Sequence, residues 1–104
     1  MALIRWSPAA KKDLSAIRDY YENSSPSYTR SIISKLYEAV SRLEMFPRMG
    51  RQVPELESET FRELIVEGYR IVYLVMGEEE EAEVDVLAIA HSRQDLLKKL
   101  SRRR

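Results

Sequence analysis

The chain has no cysteine, one histidine, one tryptophan and three glycines in 104 residues. Without cysteine, disulfide scaffolds, thiolate metal sites and cysteine nucleophiles are excluded. A lone histidine, His91, cannot build a histidine-rich zinc site or a pair of cooperating imidazoles. The glycines, Gly50, Gly68 and Gly77, are too scattered for a phosphate-cradling loop, and no serine sits between glycines as a nucleophile elbow requires. No apolar run is long enough for a signal peptide or a membrane span, so a cytoplasmic protein without membrane contact is expected. No metal or cofactor is expected either.

What is present fits one compact domain over residues 1–104, with a basic, frayed tail from about residue 98. Seventeen lysines and arginines balance seventeen aspartates and glutamates, which disfavours nucleic-acid binding by bulk charge. The charges are segregated, however. Residues 1–54 carry a balance of +4, residues 55–85 of −9, and residues 86–104 of +5. Most of the acidic excess lies in Glu55, Glu57, Glu59 and Glu78 to Glu81, beside Pro54 and Gly77 where loops are expected. Solvated loop tips explain such runs better than a metal site, because flexible glutamates seldom fold inward together.

Residues 3–6 form a short β-prone run ended by Ser7-Pro8, a helix-start pair in which the serine caps and the proline suits the first turn. Ala10, Leu14, Ile17 and Tyr21 then recur at helical spacing. Ser25-Pro26 repeats the signal and opens a second helix with the stripe Ile32/Ile33, Leu36, Val40 and Leu43, stopping at Phe46 before Pro47. So short a connection makes the two helices an antiparallel hairpin. Residues 47–60 read as a long ordered loop. Three strand candidates follow, Phe61 to Val66, Tyr69 to Met76 and Glu83 to Ala90, joined by the turn Glu67-Gly68 and the tip 77–82. Ser92 and Asp95 then start a short helix carrying Leu96, Leu97 and Leu100. The order β-α-α-β-β-β-α is an α+β fold, an antiparallel sheet packed by an N-terminal helical hairpin with a short C-terminal helix.

Four cationic side chains stand out: Arg62, Arg70, His91 and Arg93. Arg70 interrupts the apolar strand Tyr69-Arg70-Ile71-Val72-Tyr73, an unusual place for a permanent charge. A two-residue turn at Glu67-Gly68 opposes Ile65 to Arg70 and Arg62 to Tyr73, so Arg70 shares a face with Glu63 while Arg62 lies on the other. A Glu63–Arg70 ion pair is the simplest fate of that arginine. A symmetric 77–82 connection puts His91 on the Arg70 face, where it could act as a general acid or base; a bulge would reassign it. The plainer reading is a half-buried strand-end histidine bonded to backbone.

Taken together, Trp6-Ser7-Pro8-Ala9-Ala10 with Asp13-Leu14 and Ile17, Phe46-Pro47-Arg48-Met49-Gly50-Arg51, Arg62-Glu63-Leu64, Tyr69-Arg70-Ile71-Val72-Tyr73 and His91-Ser92-Arg93 resemble the RelE/ParE toxin superfamily in order over roughly residues 3–96. The resemblance implies the toxin of a type II toxin–antitoxin pair, of the plasmid-stabilisation kind, and a cognate antitoxin whose tail wraps and neutralises it in a hetero-oligomer. RelE-like members cut messenger RNA on the ribosome with several basic residues and often a C-terminal tyrosine or histidine. ParE-like members inhibit DNA gyrase by trapping cleaved DNA. This chain has no lysine between Lys35 and Lys98 and no tyrosine after Tyr73, which draws it toward the ParE branch. Under the RelE-like alternative, with ribosome and messenger RNA as partners, Arg62, Arg70, His91 and Arg93 are the catalytic candidates; a further alternative is an inactive toxin that retains only antitoxin binding. The antitoxin is expected in apolar grooves along the hairpin and at the sheet edge, with Tyr21, Tyr28 and Tyr37 as candidate contacts.

Overall fold

The computed structural model describes residues 1–92 and 94–101. Both serine–proline signals open helices: α1 spans Pro8–Glu22 and α2 spans Pro26–Ser41. The Ser7 hydroxyl accepts from the Ala10 N–H at 3.0 Å and the Ser25 hydroxyl from the Tyr28 N–H at 3.3 Å, each satisfying a donor that the first helical turn leaves free. α2 tightens into a 3-10 turn over Arg42–Glu44, and the Phe46 N–H still bonds back to Arg42, so helical geometry ends just before Pro47.

Strands β1 (Leu3–Trp6), β2 (Arg51–Gln52), β3 (Phe61–Val66), β4 (Tyr69–Met76) and β5 (Glu83–His91) form one sheet in the order β1-β5-β4-β3-β2. Two features modify the sequence reading. β2 is a short strand inside the expected loop, antiparallel to β3 with Arg51 opposite Glu63. β1 is parallel to β5, the helical hairpin and strands β2 to β4 lying between them in the chain, and only the other pairings are antiparallel. The expected turn is present, with positive φ at both Glu67 (50°) and Gly68 (80°), the geometry that two-residue hairpins favour. Val66 opposes Tyr69, Ile65 opposes Arg70 and Arg62 opposes Tyr73, as that turn requires.

The hairpin stripe Ala10, Leu14, Ile17, Ile32, Leu36 and Val40 packs on Tyr69, Ile71, Val86 and Ile89 of the sheet. Leu43 continues the same layer over Tyr73, Val75 and Val84. On the outer face, Val72, Ala88 and Ala90 are covered by Val53 and by Leu96 of α3 (Leu96–Ser101). Lys98 and Lys99, expected in a frayed tail, are therefore helical; residues 102–104 lie outside the described residues.

Past Trp6, among the described residues no strand covers the side of β5 away from β4, and α1 takes over that edge with side chains. The Ser7 hydroxyl donates to the Leu87 carbonyl at 3.2 Å, and the buried Asp13 carboxylate accepts the Ile89 N–H at 2.8 Å. Lys99 reaches the other Asp13 oxygen at 3.1 Å, tying α3 to α1. Beside this edge β5 carries a bulge: Val72 opposes Ala88 but Tyr73 opposes Val86, leaving Leu87 as the extra residue. Asp13→Ala strands a buried N–H and a lysine together, and should cost about 1–3 kcal/mol by urea unfolding. Asp13→Asn, which keeps an oxygen for Ile89, should cost less.

Candidate functional site

Arg70 sits on the outer face of the sheet among apolar neighbours, and its charge is answered on every side. Its Nε donates to Glu63 Oε1 at 2.6 Å, while its two terminal nitrogens reach the two oxygens of Glu55 at 2.6 and 2.7 Å. Arg51 completes the group, its Nε donating to Glu63 Oε2 at 2.6 Å. The Glu63 side chain is fully buried, so two guanidiniums on one carboxylate offset a desolvation cost that would otherwise be several kcal/mol. The four charges sum to zero. The Glu63–Arg70 pair follows from strand register; Glu55 and Arg51 do not. Glu55, expected in a solvated acidic tip, instead folds onto Arg70. The only hint of this in the sequence is the need of an arginine inside an apolar strand for more than one carboxylate.

Among the described residues, the other sequence-selected cations, Arg62 and His91, do not join Arg70. Arg62 points to the opposite face, donating to the Gly50 carbonyl at 2.8 Å and the Arg48 carbonyl at 3.3 Å, and so braces the 48–50 loop. Beside it the Tyr73 hydroxyl accepts the Gly50 N–H at 3.0 Å. Burial pushes the Tyr73 phenol up, against the pull of that N–H and of Arg62 and Arg48. Only glycine fits at position 50: a Cβ would stand 2.5 Å from the Glu63 carbonyl and 2.6 Å from the Tyr73 hydroxyl.

His91 is displaced from its expected position. It pairs with Tyr69, not on the Arg70 face, because the bulge at Leu87 shifts the later part of β5 by one residue and exchanges its faces. Its ring stands edge-on to Tyr69 with centroids 5.5 Å apart, and its backbone N–H donates to the Gln94 side chain at 2.9 Å. It therefore lies four residues along β4 from the Arg62 position, about 13 Å at strand rise. Arg93 lies outside the described residues.

Apolar grooves also lie on the surface of the described residues. One, of about 510 Å³, runs along the hairpin between Pro26, Thr29, Ile33 and Tyr37. The other, of about 690 Å³, lies between Leu56, Phe61, Leu87, Leu97 and Leu100. Tyr28 and Tyr37 are exposed, Tyr37 packing on Trp6, whereas Tyr21 is half-buried against the core with its hydroxyl 3.4 Å from that of Tyr69.

The hydrogen bonds from Arg70 hold the Glu55 carboxyl below the usual glutamate range, opposed by desolvation. Since the folded value is the lower one, this contribution is present above the unfolded value of about 4.3 and is lost as pH falls through the folded value. Glu55→Gln should therefore be less stable than wild type near neutrality. The gap in urea midpoint between the two should narrow from about pH 7 to about pH 3, because acid removes from wild type what the substitution has already removed. A gap that stays constant would mean that the carboxylate charge contributes nothing.

Comparison with known proteins places this arrangement. A family model described as the ParE toxin of the type II toxin–antitoxin system parDE matches residues 4–96. The chain is 38% identical over 66 residues to a protein named Toxin RelE2 from Caulobacter vibrioides, covering 64% of this chain and 70% of that one. Among solved structures, the chromosomal ParDE toxin–antitoxin system of P. aeruginosa superposes with a TM-score of 0.69 at 26% identity, over 88% of this chain and 96% of that one. The RelBE2 toxin–antitoxin complex of Mycobacterium tuberculosis shares the fold, with a TM-score of 0.53 at 18% identity over 86% and 96% of the two chains. With its β1 crossover hairpin, its four-stranded continuation and a family match spanning nearly its whole length, the chain belongs to the ParE toxin family of type II toxin–antitoxin systems.

Proposed function

We propose that the chain is a ParE-like toxin that inhibits DNA gyrase and is held inactive by a cognate antitoxin. The observation that carries this reading is the state of Arg70. Its hydrogen-bonding fork is filled by Glu55 and Glu63, and Arg62 and His91 face elsewhere. Among the described residues the sequence-selected cations therefore do not converge on one phosphate, whereas cleavage of messenger RNA needs several groups around a single phosphodiester. The family match favours the same branch. Purified toxin should block gyrase supercoiling and accumulate cleaved DNA, leaving messages on programmed ribosomes intact. Codon-dependent cleavage without an effect on gyrase would overturn the reading.

The alternative, a ribosome-dependent endoribonuclease, is favoured by the 38% identity to the protein named Toxin RelE2. It would require Arg70 to exchange its carboxylate partners for substrate. In the same experiment, message cleavage abolished by Arg70→Ala and by His91→Ala, with the fold retained, would support it.

The hairpin groove is the proposed seat of an amphipathic antitoxin segment, with Ile33 and Tyr37 as apolar contacts between charged rims. Tyr37→Asp should weaken antitoxin binding by about tenfold in calorimetry, the scale of one aromatic interface anchor, while stability falls only by what its ring contact with Trp6 supplies, about 0.5–1.5 kcal/mol.

A further inference from the structure

We propose that the loop 45–49, with Met1 and Met76 beside it, is the surface that docks onto the protein target, and that it takes an apolar patch bordered by lysine and arginine. This rests on the gyrase reading above and adds to it the place of contact. Methionine is among the residues most often buried. All four in this chain are nevertheless exposed: Met1 by 70%, Met45 by 64%, Met49 by 49% and Met76 by 41%. Phe46, between two of them in the chain, is 64% exposed. These side chains gather at one end of the molecule. The Ala2 N–H donates to the Glu44 carbonyl at 2.8 Å, which brings the chain at Met1 to the chain at Met45. Arg48 donates to the Gly77 carbonyl at 2.6 Å, which brings the end of β4 at Met76 to the loop.

The loop is held in shape before any partner arrives. The Met45 and Phe46 N–H groups both return to the Arg42 carbonyl, at 3.2 and 3.0 Å, and the Met49 N–H returns to the Phe46 carbonyl at 3.1 Å. Arg62 braces the far end through the carbonyls of Arg48 and Gly50. Apolar side chains on a braced loop have little backbone freedom left to lose on binding, so their burial goes into affinity. At about 200 Å² for one whole large side chain, the five residues expose roughly 600 Å² between them. That is at the top of the range for the largest apolar patch of a monomer, the size at which a partner is expected. None of the five lines the hairpin groove proposed for the antitoxin.

The rim decides what kind of partner fits. Glu78, Glu80 and Glu81 are exposed on the tip that Arg48 ties to the loop, and among the described residues no ion pair neutralises them. With Glu44 they outnumber the nearby cations Arg42 and Arg48, and the segment 55–85 that includes the tip carries a balance of −9. Such a rim repels nucleic acid and repels a second copy of itself. It attracts a protein surface that carries lysine and arginine, as surfaces that bind DNA do. Gyrase handles DNA and so offers surfaces of that kind, and methionine side chains, unbranched and polarisable, adapt to an apolar patch within one.

Binding of the purified full-length toxin to immobilised gyrase, followed by biosensor at several salt concentrations, tests the contact. Phe46→Ser/Met49→Ser should bind at least tenfold more weakly than wild type. Glu78→Gln/Glu80→Gln/Glu81→Gln should associate more slowly and with a flatter salt dependence. Urea unfolding should give midpoints near wild type, because the substituted side chains are exposed. A second perturbation needs no substitution. Hydrogen peroxide transfers one oxygen atom to each methionine sulfur and leaves as water, and the sulfoxide is polar. Toxin treated in this way and then freed of peroxide should keep its unfolding midpoint, since no methionine lies in the core, and should lose binding by a similar factor. If the double variant does not fold, the peroxide result decides. No binding by wild type would overturn the gyrase reading and the contact with it. Wild-type binding that survives both the folded double variant and oxidation would overturn the contact alone. Loss of antitoxin binding with gyrase binding unchanged would assign the patch to the antitoxin and likewise overturn it.

Discussion

A carboxylate with no access to water must be met by cations at hydrogen-bonding distance, and Glu63 imposes that condition on the outer half of this molecule. Its place on β3 puts Arg51 opposite it on β2 and Arg70 diagonally across on β4. Removing one partner of such a buried pair typically costs about 3–5 kcal/mol, because the remaining charge is stranded. The short strand β2 is thus held by more than two residues' worth of backbone pairing. Arg70, once committed through Nε to Glu63, has two further donors to satisfy, and Glu55 satisfies both. The chain between β2 and β3 consequently folds back across the sheet, bringing Val53 over Val72 and closing the outer core.

The opposite edge of the sheet follows a different logic. β1 ends at Trp6, yet β5 runs on to His91, so among the described residues the later part of β5 has β4 on one side and no strand on its β1 side. The Ser7 hydroxyl supplies the missing donor and the Asp13 carboxylate of α1 the missing acceptor, and the bulge at Leu87 falls where strand pairing gives way to side-chain pairing. One extra residue there moves His91 from the Arg70 face to the Tyr69 face. This chain therefore carries Arg70 and His91 on neighbouring strands without bringing them to one face. For the proposed function this matters more than the presence of either residue.

The helices, the three long strands and the turn between β3 and β4 were legible because each is specified by neighbours in sequence: Ser7-Pro8 and Ser25-Pro26 as caps, Leu14, Ile17, Leu36 and Val40 as stripes, Glu67-Gly68 as a turn. The Glu63–Arg70 pair was legible for the same reason, since a two-residue turn determines which residues share a face. Glu55 was not. It is 15 residues from Arg70 in an aperiodic segment, next to glutamates that do face solvent, and nothing local distinguishes it from Glu57 or Glu59. Asp13 was visible as part of a family motif, but its partners, Ile89 and Lys99, lie more than 70 residues away.

The sequence by itself therefore determined the α+β order, the hairpin, the register of β3 on β4 and the family, all of which rest on period, capping and turn chemistry acting over a few residues. Only the tertiary structure decided that β1 lies parallel beside β5, that β2 exists, that His91 faces Tyr69, and that Arg70 is closed by Glu55. These depend on long-range pairing and on where one bulge falls. A single inserted residue in a strand exchanges its faces while leaving the local pattern of apolar and polar residues almost unchanged.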